Sequence, residues 1–360
     1  MTTMQQPGAE DRVGTRLDRR DVRLVVVALT IVAAAIGAAV VFTQSGAQKT
    51  TTAGVTETLR FSFGGPDPIT VGTDALWVAI NPADARSLQS AQEATQKFGS
   101  LERVSLSGAV ERTLRIPGRV GPALLHVGNV LWVGRNSDPT GTKPGELDEL
   151  NWNTGELLAR LPFDRAVSDL TYGDRSLWVT VGASPATLVR INPGSLQTIG
   201  EPIVVARGSA YGSAFGGEAV WETGFDDGSL ARVDPATGRI DRVKLGGNAV
   251  GVVDSGGSIW VALRDRGAVV RVDPRTLRVL RTTTVGANPA YLAAAGGLIW
   301  VANQTDGTVT RIDARTGNTV GLPIRITPDD ASNLTTAGSS VWVTSLLHSS
   351  ATRIDINETR

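Results

Sequence analysis

The 360-residue chain carries 35 Lys plus Arg against 35 Asp plus Glu, two His and no Cys. That balance leaves no basic footprint for nucleic acid, and the lack of Cys excludes thiol chemistry and Cys-based zinc sites. A chain this long buries a core without disulfides, so the missing Cys fits export without requiring it.

Residues 1–23 are polar, with Arg12, Arg16, Arg19, Arg20 and Arg23 diluted by Glu10, Asp11, Asp18 and Asp21. They read as a disordered cytoplasmic tail. Leu24 to Phe42 follows without a charge, and Thr30 is its only polar side chain. At ~1.5 Å per residue this segment is about long enough to cross a bilayer core as a helix. Arginines crowd its N-terminal side, and only Lys49 follows closely. The positive-inside rule then places the bulk of the chain outside the cytoplasm. The expectation is an uncleaved signal anchor over 24–42. The rival readings are a cleaved signal peptide with a weak site at Ser45-Gly46-Ala47, an incomplete twin-arginine signal at Arg19-Arg20, and a buried core helix. Residues 43–55, small and polar, read as a flexible linker.

Beyond the linker one phrase recurs: a glycine turn, an aliphatic residue, then Trp and usually Val. The copies centre on Trp77, Trp132, Trp178, Trp221, Trp260, Trp300 and Trp342, at spacings of 55, 46, 43, 39, 40 and 42. Gly72, Gly128, Gly173, Gly216, Gly256, Gly296 and Gly338 precede them by four or five residues. Trp152 alone stands outside the series. A period near forty residues signals a repeat architecture. Within a unit, "GSIWVAL" alternates as a strand, Arg266-Gly267 marks a hairpin, and "TLRVLRTTTVG" is a further strand after an Asp-Pro turn. Each unit thus holds four strands, a to d, with Trp on strand b.

Strand c carries a second mark, Arg-aliphatic-Asp or Asn: Arg190-Ile191-Asn192, Arg232-Val233-Asp234, Arg271-Val272-Asp273, Arg311-Ile312-Asp313 and Arg353-Ile354-Asp355. The Asp or Asn suits a turn start, where it accepts from local N–H groups. A catalytic carboxylate at Asp234, Asp273 or Asp313 is the other reading, and repetition favours structure. The chain ends on strand c of the seventh unit, while a surplus strand, "TETLRFSF" at 56–63, precedes the first. That strand should complete the last blade and close the ring. Its alternation puts Leu59, Phe61 and Phe63 on one side.

The units "GLIWVANQTDGTVTRIDARTGNTV" and "GSIWVALRDRGAVVRVDPRTLRVL" resemble the repeats of bacterial seven-bladed propellers, notably the streptogramin B lyase-like and YVTN-type surface propellers. The resemblance covers about residues 57–355 and implies the fold more than the job. Lyase-type repeats resemble "LWFTE", and that likeness implies a catalytic His and metal-binding Glu residues. Here the third residue after each Trp is Ile80, Arg135, Val181, Gly224, Leu263, Asn303 or Ser345, and none is Glu. His126 lies in "ALLHVG", an a strand that packs in the core or lines the channel. His348 lies in "SLLHSS", an exposed b–c loop.

By resemblance to propellers generally, the b–c and d–a loops share the ligand-binding face. Blades 4 to 6 have tight b–c turns at Asp227-Gly228, Arg266-Gly267 and Asp306-Gly307. Blade 2 runs longer through residues 135–146, and blade 1 inserts residues 81–100, of which Ala83 to Phe98 has helix-forming composition. Long loops on a rigid scaffold are where function concentrates. The candidate binding patch on this face is Arg119, Arg135, Asn136, Asp138, Tyr211, Arg264, Asn288, Tyr291 and Asn303. The sequons at Asn303, Asn333 and Asn357 matter only in a secretory eukaryotic setting.

The sequence therefore predicts an all-β, seven-bladed β-propeller over residues 56–360 behind an N-terminal single transmembrane helix. The membrane is one partner, through residues 24–42. The other is a ligand, a protein or an envelope component, bound without a cofactor. The alternative is a lyase-like enzyme with a non-standard site, and only under that reading is Mg expected.

Overall fold

The computed structural model describes residues 50–61, 65–81, 98–117, 119–136, 144–182 and 184–359. Seven four-stranded antiparallel sheets follow one another along them. The seven-bladed, all-β propeller is the fold. Residues 24–42 lie outside the described set, as do 82–97 of the blade 1 insertion. Among the described residues no helix is long and apolar enough to cross a membrane.

The recurring phrase builds each blade from its a–b turn. In blades 3 to 6 the residues four and three before the Trp have positive φ: Asp174 and Arg175, Gly217 and Glu218, Gly256 and Gly257, Gly296 and Gly297. Two successive left-handed residues make the type I′ hairpin, whose twist matches that of the strands it joins. The turn also receives the Trp. Trp178, Trp221, Trp260 and Trp300 each donate Nε1–H to the carbonyl five residues back, on Gly173, Gly216, Ser255 and Ala295, at 2.8–3.2 Å. All seven repeat tryptophans are no more than 2% exposed, so the indole N–H needs this partner.

Blade 1 meets the same need with a substitute, which explains the odd Trp152. Trp77 donates to the Trp152 carbonyl at 2.9 Å, and Trp152 Nε1 donates to Asp74 at 3.1 Å. A Cβ on Gly72 would sit 2.4 Å from the Trp152 ring, so the turn there must be glycine. His126 stacks on that ring at 3.7 Å and binds the Val71 and Gly128 carbonyls.

The strand c mark is read directly from the register. Trp178 pairs with Arg190, Trp221 with Arg232, Trp260 with Arg271, Trp300 with Arg311 and Trp342 with Arg353. The guanidinium lies over the indole, at 5.0 Å for Arg190 and 5.5 Å for Arg271, a cation–π contact. The Asp or Asn two residues on caps the c–d turn. Asp234 accepts from the N–H of Ala236 and Thr237, Asp273 from Arg275 and Thr276, and Asn192 from Gly194 and Ser195. These N–H donors hold the Asp234, Asp273 and Asp313 carboxyls below the usual range, as befits turn caps.

The ring closes as the surplus strand requires. Val55–Arg60 pairs antiparallel with Ser350–Asp355, Leu59 opposite Ala351 and Arg60 opposite Ser350. Leu59 and Phe61 pack into the core shared by blades 7 and 1, against Trp342, Leu76 and Val78. The chain before this strand is also held: Thr51 donates to Pro323 and accepts from Arg325, at 2.9 and 2.7 Å, on the outer strand of blade 6.

Candidate functional site

Neighbouring blades meet through one repeated seam. The Trp of one blade and the residue two beyond it face the next blade, which answers with the residues flanking its own Trp. Trp178 accordingly packs with Val220, and Trp260 with Ile299 and Val301. In six of the seven repeats the residue after the Trp is Val. In blade 4 it is Glu222, 1% exposed.

Three residues surround that exception and make a quartet with it. Asp169 on strand a of blade 3 (Val167–Gly173) pairs with Thr180 on strand b (Ser176–Val181). Ser213 on strand a of blade 4 (Ala210–Gly216) pairs with Glu222 on strand b (Ala219–Gly224). Two bonds cross the seam and join the pairs. The Ser213 N–H donates to Asp169 Oδ2 at 2.7 Å, and Thr180 Oγ1 donates to Glu222 Oε1 at 2.8 Å. Asp169 follows a bulge between Val167 and Asp169, and a bulge re-aims the side chain beside it. Its other oxygen accepts from the Leu170 N–H at 2.8 Å.

Glu222 Oε2 is buried with no hydrogen-bond partner. A buried, half-satisfied carboxylate next to another carboxylate is costly when ionised. Burial pushes the Asp169 carboxyl up to about 7, against the opposing Leu170 and Ser213 N–H bonds. Burial first, then the charge of Asp169, pushes Glu222 well above the carboxylate range. Burial thus favours the neutral acid at Glu222, beside an Asp169 near its midpoint at neutral pH. Such a pair can keep, donate or take up a proton on the inner strands of the ring. Among the described residues no group of three or more His, Asp or Glu side chains is placed to hold a metal ion.

The predicted loop patch divides. Arg135 is buried and held by Asp148 at 2.6 Å and by Glu146. Asn136 clamps the first residue of blade 3, donating to the Val167 carbonyl at 3.1 Å and accepting its N–H at 3.0 Å. Asn81 clamps Val120 of blade 2 in the same way. Asn303 is fully buried, donating to Thr308 and Thr310 and accepting from the Gly286 N–H. Arg264 donates to Gln304 at 2.8 Å, and Asn288 bonds Thr305. These two contacts bring Arg264 and Asn288 together with the Asn303 turn on blades 5 and 6. Tyr291 is half-buried against the core shared by blades 6 and 7. Tyr211 is 48% exposed, edge-on to Phe225 at 5.2 Å, and stands two residues before Ser213 of the quartet. Arg119 opens strand a of blade 2 opposite Asn136. Asp138 lies outside the described residues. His348 bonds Asp329 at 2.6 Å in the blade 7 loops.

No family model matches the chain, and no curated protein does. Solved structures do. A catalytically inactive virginiamycin B lyase from Staphylococcus aureus, solved with quinupristin, matches with a TM-score of 0.66 and 14% identity, over 83% of this chain and 98% of that one. The computationally designed Ika8 protein matches at 0.56 and 13%, over 82% and 98%. Likeness at such identity is one of fold, and it agrees with the lyase-like propeller resemblance of the repeats.

Proposed function

We propose that this chain is a membrane-anchored propeller, displayed outside the cytoplasm, that binds a ligand or a protein or envelope partner on its b–c and d–a loop face. The observation that carries the reading is the Asp169–Thr180–Ser213–Glu222 quartet. It replaces apolar packing at one seam with a proton-holding acid pair, and structural need alone does not explain that replacement. Perturbed carboxyls of this kind concentrate at functional sites. Tyr211, exposed beside the quartet, offers an aromatic surface for a ligand. The anchor rests on the uncharged run 24–42 and the arginines before it. A reporter fused after Arg360 should be active only outside the cytoplasm, and activity only inside overturns the orientation.

One observation favours a second reading, a lyase-like enzyme: an Asp169 carboxyl near 7 suits general acid–base work at neutral pH. Quinupristin separates the two. Under the binding reading the purified chain leaves quinupristin intact with or without Mg. Mg-dependent conversion that Asp169→Asn abolishes would make the chain an enzyme.

A further inference from the structure

Two oxygen atoms of the quartet are buried without a hydrogen-bond partner, Glu222 Oε2 and Ser213 Oγ. They share one face of blade 4, because Ser213 and Glu222 stand directly opposite each other on strands a and b, and opposite residues of a ladder project to the same side. Thr180 fixes which oxygen of Glu222 is left over. Its hydroxyl donates to Oε1 across the seam at 2.8 Å, so Oε2 lies in that seam as well. Asp169 enters from blade 3. Its carboxyl is close enough to Glu222 to raise it and close enough to the Ser213 side chain to be lowered by it. Its Oδ2 also accepts from the Ser213 N–H at 2.7 Å. Asp169, Ser213 and Glu222 thus turn oxygen atoms toward one place.

Nothing in the fold answers these atoms. Leaving a buried polar atom unpaired costs free energy, and the other six repeats avoid the cost with Val after the Trp. Among the described residues no Lys, Arg or His acts on either carboxyl. When both are ionised they hold two negative charges, which one divalent cation balances. The donors are all oxygen, a set that suits a hard cation and not a transition metal. Calcium takes about six to eight oxygens in adaptable geometry, whereas magnesium demands a near-ideal octahedron. Donors fixed on three separate strands fit the more adaptable ion. Asp169 and Ser213 are half-buried on the inner strands, so water from the axis of the ring can complete the shell.

We propose that the seam between blades 3 and 4 binds a hard divalent cation, calcium by preference, with Asp169, Glu222 and Ser213 as its ligands and Thr180 positioning Glu222. The loaded site is charge-neutral and ties two blades together from the inside. Without the cation the carboxyls keep their protons and behave as a buried acid pair. The site lies in the wall of the ring, and it stands or falls independently of what the loop face binds.

Tryptophan makes the test direct. Trp221 precedes Glu222, and Trp178 lies two residues before Thr180, so buried indoles flank the site and can sensitise a bound lanthanide. The full chain is stripped with a chelator and titrated with Tb³⁺ under tryptophan excitation, then challenged with Ca²⁺ and with Mg²⁺. The wild type should give sensitised emission that Ca²⁺ displaces at about 0.1–1 mM, the range of weak calcium sites, with Mg²⁺ less effective. Glu222→Gln removes a charged ligand and should weaken Tb³⁺ binding by about tenfold or more. Ser213→Ala should weaken it several-fold and serves if Glu222→Gln does not fold, as judged by circular dichroism. Emission that both folded variants retain in full is surface binding only and overturns the site. Displacement by Mg²⁺ ahead of Ca²⁺ overturns the preference for calcium. A wild type with no sensitised emission, and no rise in melting temperature with Ca²⁺, overturns the proposal outright.

Discussion

The seam between blades 5 and 6 and the seam between blades 3 and 4 solve one packing problem with opposite chemistry. In the first, Trp260 packs with Ile299 and Val301 of the neighbouring blade, and Ala262 stands two residues beyond the Trp, all fully buried. In the second, the matching positions are Thr180 and Glu222, with Asp169 and Ser213 on the inner strands. The strands, turns and tryptophans are the same in both. The apolar seam shows that the scaffold needs no carboxylate there, so the quartet is an addition to the fold and not part of what makes it.

The largest expected effect comes from opening the ring, which should abolish both seams together. A chain lacking residues 1–49 keeps Thr51 and the closing strand and should melt cooperatively. A chain lacking 1–60 loses the strand opposite Ser350–Asp355 and the apolar cover of Leu59. Burying one large side chain contributes roughly 1.5–3 kcal/mol, and an unpaired edge invites aggregation. Calorimetry should show the longer deletion melting far lower or precipitating. Equal melting would mean that the ring closes without this strand.

Truncating a seam tryptophan tests the shared part of the design. Trp260→Ala and Trp178→Ala should each lose about 3–5 kcal/mol, the usual range for buried Trp, in denaturant titrations. They should differ in pH response. The cavity from Trp178→Ala lies in the quartet's seam and should admit water, weakening its pH dependence, while Trp260→Ala leaves that dependence unchanged.

Replacing the exception with the rule is the sharper test. The Asp169 carboxyl is raised from 3.8 to about 7, so the folded state holds its proton after the unfolded state has released it. Stability from Asp169 is full below about pH 4 and falls as pH rises to about 7. Glu222, also raised well above the carboxylate range by burial, adds to the fall. Glu222→Val should then gain on the wild type as pH increases. At pH 8 the gain should be roughly 1–3 kcal/mol, the scale of an unsatisfied buried polar group relieved. A gap that is constant with pH would show that Glu222 is ionised in the fold. Glu222→Gln, which retains an acceptor for Thr180, should flatten the same part of the profile.

The smallest stability effect is expected at Tyr211. Its exposure predicts a change within about 0.5 kcal/mol for Tyr211→Ala, checked by thermal melting. A larger loss would make Tyr211 part of the scaffold and not of the loop face.

How much of this was legible depended on whether the signal repeats along the chain. The Trp series, the hairpin turns and the Arg-aliphatic-Asp mark recur, so their roles could be read before the register showed Trp260 opposite Arg271. The closing strand was legible because its absence at one end matched a surplus at the other. Glu222 was visible in principle: "WE" stands once among six "WV" pairs. Its meaning was not, because Asp169 lies 53 residues earlier, on another blade and behind a bulge. The loop patch suffered from the reverse problem. Arg135 and Asn303 carry polar groups near loops, yet Arg135 faces Asp148 across strand c, and Asn303 turns inward to Thr308 and Thr310. Period-2 alternation separates the faces of a strand but does not tell a solvated face from an interblade seam.

The claim that the blade 3–4 seam holds a protonated carboxylic acid is tested most directly by infrared spectroscopy of the folded protein across pH. A protonated carboxyl C=O stretch should persist at pH 7, where ordinary Glu, with a pKa of about 4.3, is ionised. Glu222→Gln should weaken that band, leaving the part that Asp169, near its midpoint, contributes, and keep the fold intact. A wild-type spectrum with no protonated carboxyl band at pH 7, or one that Glu222→Gln leaves unchanged, would contradict the account.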